Sequence, residues 1–170
     1  KMKKKLKFIK SYLENEKTGQ QWEYGEDGKM ISILNYHNGM LDGQFEYFGE
    51  NGNLIEKGQY RLNSLEGAVS NFDSLGRLQG VHNYRDGLLN GPFERYEIGK
   101  LDVKGAFVGG EKHGRWESYL NRGDSVQLFE YSNYDRGKQH GPFMEVRYDS
   151  IIVGSYLQDK LDGPYRVYQS

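Results

Sequence analysis

The chain has 170 residues, of which 36% are hydrophobic, 23 are glycine, 14 are tyrosine and none is cysteine. Its length suits one domain, and its aromatic content of 14% argues against a disordered chain. The scarcity of alanine argues against a helical bundle, the lack of an apolar run of about 18 residues excludes a membrane-spanning helix, and the lack of cysteine excludes disulfides and thiolate chemistry.

The N-terminal segment is strongly basic. Six lysines and no acidic residue lie within the first ten positions, namely Lys1, Lys3, Lys4, Lys5, Lys7 and Lys10. Because the whole chain carries 23 basic and 24 acidic side chains, the remainder is net acidic. We interpret the segment as a solvated first strand, with an arm for an anionic membrane surface or for nucleic acid as the alternative. No apolar run follows the lysines as it would in a secretory signal. Both the cytoplasm and export to the cell envelope stay open as compartments.

A glycine recurs about every 24 residues along the chain, which indicates a repeat architecture. These repeat glycines are Gly19, Gly43, Gly67, Gly91, Gly114, Gly141 and Gly163. Four positions before each of them stands Gly, Asn or Asp, the residues that best tolerate a positive φ. Three positions before that Gly, Asn or Asp stands Tyr or Phe. The pattern therefore predicts turns at Gly39, Asn63, Gly87, Gly110 and Gly137, among other copies.

A second turn signal lies inside most units, as at Asp27-Gly28. Asp-Gly and Asn-Gly pairs favour type I′ hairpin turns, so we expect a tight turn there and a looser loop at the first signal. Leu54 lies two positions and Tyr60 eight positions after the turn glycine Gly52. Because both offsets are even, these side chains are predicted to share one face of the strand. The apolar offsets of two and five after a repeat glycine differ in parity, which predicts either aromatic side chains on both faces or a bulge.

These signals predict an all-β fold with almost no helix. Residues 1–170 are expected to form a single domain and one elongated array of antiparallel β-hairpins, with half a repeat, six repeats of about 24 residues and half a repeat, or about 14 strands. The expected core is a ladder of equivalent aromatic side chains supported by leucines. Its members are Tyr36, Tyr60, Tyr84, Phe107 and Tyr134, with Leu54, Leu78 and Leu101.

The repeat resembles the MORN repeat, and most closely the bacterial variant known from YwqK-type antitoxin proteins. The clearest copies run from Tyr36 to Phe45, from Tyr84 to Phe93 and from Tyr134 to Phe143. The resemblance covers nearly the whole chain, roughly residues 12 to 168. It implies an elongated antiparallel sheet with an aromatic-lined groove and no catalytic residues. Asn15, Asn63 and Asp159 depart from the glycine of the family pattern but suit the same turn.

The sequence offers no catalytic or metal constellation. His113 and His140 share a repeat position, but equivalent positions lie two strands, or about 9–10 Å, apart, which is too far for common metal ligation. The acidic residues are dispersed along the array, no phosphate-binding loop is present, and no Gly-x-Ser-x-Gly motif occurs. We therefore expect no enzyme activity and no cofactor. The net acidic body argues against nucleic-acid binding.

One column of large aromatic side chains follows the strand starts. It comprises Trp22, Phe45, Phe93, Trp116, Phe143 and Tyr165, with Trp22 one position out of register. These side chains form either the core or a binding groove for a peptide, a glycan or a partner's strand. The sequence thus predicts a non-enzymatic scaffold that binds a partner protein, with antitoxin-like binding implied by the resemblance. A membrane- or envelope-associated module for lipid or glycan is the alternative.

Overall fold

The computed structural model describes residues 5–123 and 125–169, so Lys1, Lys3 and Lys4 lie outside the described residues. All regular elements of the described residues are β-strands, and the all-β fold class is confirmed. The strands are β1 (Phe8–Ile9), β2 (Tyr12–Leu13), β3 (Glu16–Lys17), β4 (Gly19–Tyr24), β5 (Met30–His37), β6 (Met40–Phe48), β7 (Leu54–Arg61), β8 (Ser64–Leu65), β9 (Gly67–Phe72), β10 (Leu78–Arg85), β11 (Leu88–Glu97), β12 (Lys100–Val108), β13 (Glu111–Arg122), β14 (Ser125–Asp135), β15 (Lys138–Val146), β16 (Ser150–Leu157), β17 (Lys160–Leu161) and β18 (Arg166–Gln169).

The chain divides into two compact units, residues 1–88 and 89–170. In the first unit, β1, β4, β5, β6, β7, β9 and β10 follow one another in the sheet, β8 pairs with β7, and β2 pairs with β3. In the second unit, β11 to β16 follow in chain order, and β17 and β18 both pair with β16. All these pairs are antiparallel. Within each unit, successive hairpins therefore build the sheet, as the repeat predicts.

The described residues contain eighteen strands instead of about fourteen, because four of the predicted strands are each divided in two. The divided strands are β1/β2, β3/β4, β8/β9 and β17/β18. These four strands lie in three hairpins, and in each hairpin one backbone bond bridges the gap, as when the N–H of Glu66 donates to the carbonyl of Gln59 at 2.9 Å. Rejoining the four divided strands restores the predicted number.

The tight type I′ turns lie at the first turn signal of each unit. Asn38 has φ 47° and Gly39 has φ 75°, so both central residues of the turn are left-handed. Among the other predicted turn positions φ is 69° at Asn63, 81° at Gly87, 88° at Gly110 and 80° at Gly137.

The second turn signal does not have the same form in every unit, and the looser loop expected at the first signal is wrong. At Ile98-Gly99 the expected type I′ turn is confirmed, because φ is 49° and 76°. At Asp27-Gly28 the chain forms a wider loop, and the expectation of a type I′ turn is wrong there. Only Gly28 has positive φ, at 89°. Its N–H donates to the Gly25 carbonyl at 2.9 Å, and the N–H of Gly25 donates to the Lys29 carbonyl at 2.8 Å. This pattern is a type I turn closed by a left-handed glycine, for which the Asp-Gly pair is equally suitable.

Within the described ranges, six of the seven turns at the first signal are hydrogen-bonded to the preceding repeat. The N–H of Gly39 donates to the Lys17 carbonyl at 2.9 Å, and the N–H of Asn63 donates to the Leu41 carbonyl at 2.8 Å. The Asn63 side chain adds a bond, because its Oδ1 accepts from the Leu41 N–H at 2.7 Å. Asp159 accepts in the same way from the N–H of Gln139. Asn and Asp in place of the first glycine therefore strengthen the connection between repeats.

A bulge interrupts strand pairing beside the second turn signal of most units. In β6 and β7, Tyr47 pairs with Glu56 and Phe48 pairs with Leu54, which leaves Ile55 as an extra residue. The same shift occurs between β4 and β5, β9 and β10, β11 and β12, and β13 and β14. The bulge therefore belongs to the repeat and is not a defect of one copy.

Of the two alternatives that the parity of the apolar offsets left open, aromatic side chains on both faces is the one that is present. The bulge lies on the second strand, while the first strand is continuous between Phe45 and Phe48. Side chains three positions apart on a continuous strand point to opposite faces, so both faces carry aromatic side chains. The extra residue also separates Leu54 from Tyr60, and the expectation that these two share a face is wrong.

Among the described residues, four of the five buried hydrophobic side chains lie two positions after a repeat glycine, in what we call the core column, and the fifth is Ile152, which is 4% exposed. The members of the core column are Gln21, Phe45, Val69, Phe93, Trp116, Phe143 and Tyr165. Phe45 and Val69 are 1% exposed, and Trp116 and Phe143 are 7% exposed. The residues expected to form the core, from Tyr36 to Tyr134 with their leucines, are only half-buried. These expected core residues lie beside the buried side chains instead of among them. The bulges and the left-handed repeat glycines shift the strand register, and with it the direction in which these side chains point.

Candidate functional site

Glycines separate the large side chains of the core column. In the first unit, Gly58 pairs with Phe45. A Cβ added to Gly58 would lie 2.9 Å from the Phe45 ring and 2.8 Å from Val69. In the second unit, Gly105 faces Trp116, and an added Cβ would lie 2.3 Å from the indole. The absence of a side chain on the intervening strand is what leaves room for these large groups.

The rings of the second unit contact one another across a glycine. Strands two apart in a sheet are separated by about 9–10 Å, yet the ring centroids of Phe93 on β11 and Trp116 on β13 lie 5.2 Å apart. Phe107, on the strand between them, meets Trp116 edge-on at 4.9 Å. Both large rings therefore lean over Gly105, and the cluster combines residues of the core column with residues of the expected tyrosine ladder.

A cleft of about 380 Å³ lies on this aromatic face of the second unit. It extends across β11, β12, β13 and β14. Its lining residues are Phe93, Arg95, Val103, Phe107, Lys112, Trp116, Ser118, Glu130, Ser132 and Tyr134. The volume falls within the range of ligand clefts, which are typically apolar with a few polar groups that fix orientation. We call this feature the aromatic cleft.

A lysine ammonium lies over the rings of the aromatic cleft. Lys112 Nζ is 4.4 Å from the centroid of the Trp116 ring and 5.0 Å from that of Tyr134. Both distances suit cation–π attraction, which holds the charge in place without neutralising it. Among the described residues, no carboxylate lies within 4.0 Å of this ammonium.

The other charged side chains of the aromatic cleft have polar partners. Arg95 Nη2 lies 2.5 Å from Asp102 Oδ2. The Glu130 carboxylate accepts a hydrogen bond from the Ser118 hydroxyl at 2.9 Å. Lys112 is therefore the charged lining residue whose ammonium has described contacts with rings alone.

The opposite face of the second unit carries a fully paired polar cluster. Lys104 lies 2.9 Å from Glu117, and the Tyr119 hydroxyl donates to Glu117. Hydrogen bonding to Tyr119 and Glu117 raises the pKa of Lys104. Arg115 pairs with the same carboxylate at 2.7 Å and lies 3.8 Å from the centroid of the Tyr131 ring. These groups satisfy one another, so the cluster stabilises the sheet and offers no vacant charge.

The structure distributes the six predicted groove residues over different environments. Phe45, Trp116 and Phe143 are buried, Phe93 and Trp22 are half-buried, and Tyr165 is 51% exposed. Only Phe93 and Trp116 line the aromatic cleft.

Gln21, the residue before Trp22, is buried in the first unit and is 6% exposed. The Gln21 Nε2 donates to the Ser11 carbonyl at 3.0 Å. Gln21, and not Trp22, therefore occupies the core column in this copy, and the hydrogen bond compensates for burying its amide.

Sequence reasoning missed Lys112, although the repeat contains a signal for it. Two positions before the repeat glycine, four copies carry Leu and one carries Gln139, whereas two carry Lys17 and Lys112. Lys17 Nζ lies 4.7 Å from the centroid of the Tyr36 ring in the first unit. In both copies, a lysine at a position where the repeat favours leucine has its ammonium over an aromatic ring.

The described part of the basic segment exposes apolar side chains between its lysines. Leu6 is 58%, Phe8 46%, Ile9 40% and Leu13 65% exposed. The Lys5 ammonium donates to the Glu26 carbonyl at 2.6 Å. The segment is therefore both basic and apolar, which a purely solvated strand does not require.

In the described ranges, histidine and acidic side chains nowhere gather in a group of three that could hold a metal ion. His113 Nδ1 lies 3.6 Å from Asp135 Oδ1. The described part of the chain also has no helix with the length and apolar character needed to cross a bilayer.

No protein-family model matches this chain, and no curated protein is significantly similar to it.

Proposed function

We propose that this protein is a non-enzymatic repeat scaffold of the MORN type that binds a partner protein through the aromatic cleft. The observation that supports this proposal is the cleft itself, a concave site of about 380 Å³ lined by four rings and an unneutralised ammonium. Half-buried aromatic side chains with a polar rim are typical of protein-binding surfaces. An antitoxin-like scaffold would hold its partner in the same place.

Site-specific photo-crosslinking tests the proposal. A benzophenone amino acid is placed at Arg95, an exposed residue of the cleft, and, as a matched control, at Lys104, an exposed residue of the neighbouring strand on the opposite face. The proposal expects one protein of the native lysate to be crosslinked in stoichiometric yield from position 95 and not from position 104. Equal crosslinking from both positions, or none from position 95, would contradict it.

A second function, attachment to an anionic membrane surface, is favoured by the basic segment. Lysines that flank exposed Leu6, Phe8 and Ile9 combine electrostatic attraction with apolar insertion. Flotation with vesicles containing phosphatidylserine tests it, with neutral phosphatidylcholine vesicles and a variant that replaces Lys5, Lys7 and Lys10 by glutamine as controls. The wild-type protein should float only with the anionic vesicles, and the variant should not. Flotation that is indifferent to vesicle charge would exclude this function.

A further inference from the structure

We propose that Lys112 is the recognition group of the aromatic cleft and that it binds an aspartate or glutamate side chain of an extended partner segment. The inference rests on the proposed function and adds the chemistry of the partner. Two observations support it. The Lys112 ammonium lies over the rings of Trp116 and Tyr134, and the neighbouring Arg95 is already paired with Asp102.

The rings hold the Lys112 ammonium where a ligand would meet it. Lys112 is half-buried, and its Nζ lies within 5.0 Å of the ring centroids of both Trp116 and Tyr134. Attraction to the ring faces restricts the long side chain before any ligand arrives, which lowers the entropic cost of binding. The rings supply no negative charge, so the ammonium stays open to an anionic ligand.

The neighbouring charges do not compete for the same ligand. Arg95 already pairs with Asp102, so Lys112 is the cation of the cleft that a carboxylate can engage without breaking an ion pair. Glu130 lies in the same cleft and would repel added negative charge. This repulsion favours a singly charged carboxylate over a doubly charged phosphate.

The dimensions of the aromatic cleft suit a short extended segment. The cleft crosses four strands, and three strand spacings of about 4.8 Å give about 14 Å, which is the length of about four extended residues. The rings of Phe93 and Phe107 offer apolar contact beside the ammonium. We therefore expect an acidic residue flanked by apolar or aromatic residues.

The repeat supports a specific role for the lysine. In four copies this position is leucine, which serves packing as well as the lysine stem does. Lysine at 17 and at 112 therefore adds a charge that the fold does not need, and in both places the charge lies on a ring. A charge that packing does not require indicates recognition.

Selection of displayed peptides tests the inference. The full protein is immobilised and exposed to a phage library of random twelve-residue peptides, in parallel with Lys112→Met, which keeps the stem, and Lys138→Met, which removes an equal charge at an exposed position. Peptides enriched by the wild-type protein and by Lys138→Met should carry Asp or Glu beside apolar residues, and this bias should vanish with Lys112→Met. For one enriched peptide, replacing its acid by the amide should weaken binding about tenfold to the wild-type protein and leave binding to Lys112→Met unchanged.

The outcomes separate the inference from the proposed function. Peptides that are enriched without an acidic bias, or with the same bias for Lys112→Met, would overturn the role of Lys112 and leave protein binding in place. If no peptide is enriched although position 95 crosslinks a protein, the carboxylate inference is overturned alone. If neither experiment finds a ligand, both proposals fail. Circular dichroism of each variant verifies that its sheet is retained.

Discussion

Replacing Gly105 by alanine tests the arrangement of rings over glycine that builds the aromatic cleft. The new Cβ would lie 2.3, 2.4 and 2.8 Å from three atoms of the Trp116 indole, whereas ordinary van der Waals contact is 3.4–4 Å. Trp116 is 7% exposed and contacts both Phe93 and Phe107, so it cannot swing aside without disturbing them. The indole would have to move by about 1 Å within a close-packed cluster.

The expected cost lies at the upper end of the range for overpacking, about 3 kcal/mol. Truncation of the ring, Trp116→Ala, should cost about 3–5 kcal/mol by itself. In that background the clash is gone, and Gly105→Ala should be neutral or should stabilise by about 0.5–1 kcal/mol, since glycine is unfavourable inside a strand. The double-mutant cycle should therefore give a coupling energy of about 3 kcal/mol between Gly105 and Trp116.

Urea unfolding followed by far-ultraviolet circular dichroism measures all four free energies of unfolding. A large loss of stability in Gly105→Ala that disappears in the double variant is the expected result. A stability of Gly105→Ala within 0.5 kcal/mol of the wild-type protein would refute the packing argument. An equally large loss in both backgrounds would show that the backbone at Gly105, and not the indole, requires glycine.

Three further changes test the turns and one buried group. Gly87→Val places a β-branched side chain at φ 81° and should lower the melting temperature through a strain of at least 1–2 kcal/mol, so an unchanged melting curve would refute the left-handed turn. Asn63→Gly keeps the turn but removes the acceptor of the Leu41 N–H, and it should cost about 1 kcal/mol and accelerate hydrogen exchange at Leu41. Burial lowers the pKa of His82 in the folded protein below its ordinary value of about 6.5. The neutral imidazole is therefore compatible with folding above a pH of about 6.5, and stability is lost as the pH falls from about 6.5 through the lowered pKa, because the unfolded chain binds the proton more readily. An NMR titration should find a lower pKa for His82 in the native protein than in urea, and equal values would contradict its burial.

The hairpin array could be predicted from the sequence because its signals are local. A positive φ favours Gly, Asn or Asp, and these residues recur four positions before each repeat glycine, which identified the repeat and the positions of its turns. The tight turn was nevertheless expected at the second signal, whereas Asn38 and Gly39 form it at the first. The type of the second turn could not be read in the same way. An Asp-Gly pair suits a type I′ turn and also a type I turn closed by glycine, and only the strand register decides between them.

The core and the aromatic cleft depend on contacts between strands and were predicted less completely. Bulges such as the one at Ile55 shift the alternation of faces without leaving a clear mark in the sequence. The column that follows the repeat glycines was recognised, but Trp22 was placed in it instead of the buried Gln21. Aromatic size suggested the tryptophan, whereas register and one hydrogen bond bury the glutamine.

The composition of the chain explains why a binding cleft can form on a single sheet. In the second unit, all described strands belong to one sheet, so this unit itself supplies no second layer over its aromatic face. Gly105 allows Phe93 and Trp116 to bury one another from opposite sides, which needs few apolar residues. On the next strand the paired position is Ser132 instead of glycine, and the rings there are separated by a polar side chain. A glycine between large rings therefore stabilises the sheet with little apolar material and also helps to form a cleft lined by rings and by the hydroxyl groups of Ser118 and Ser132.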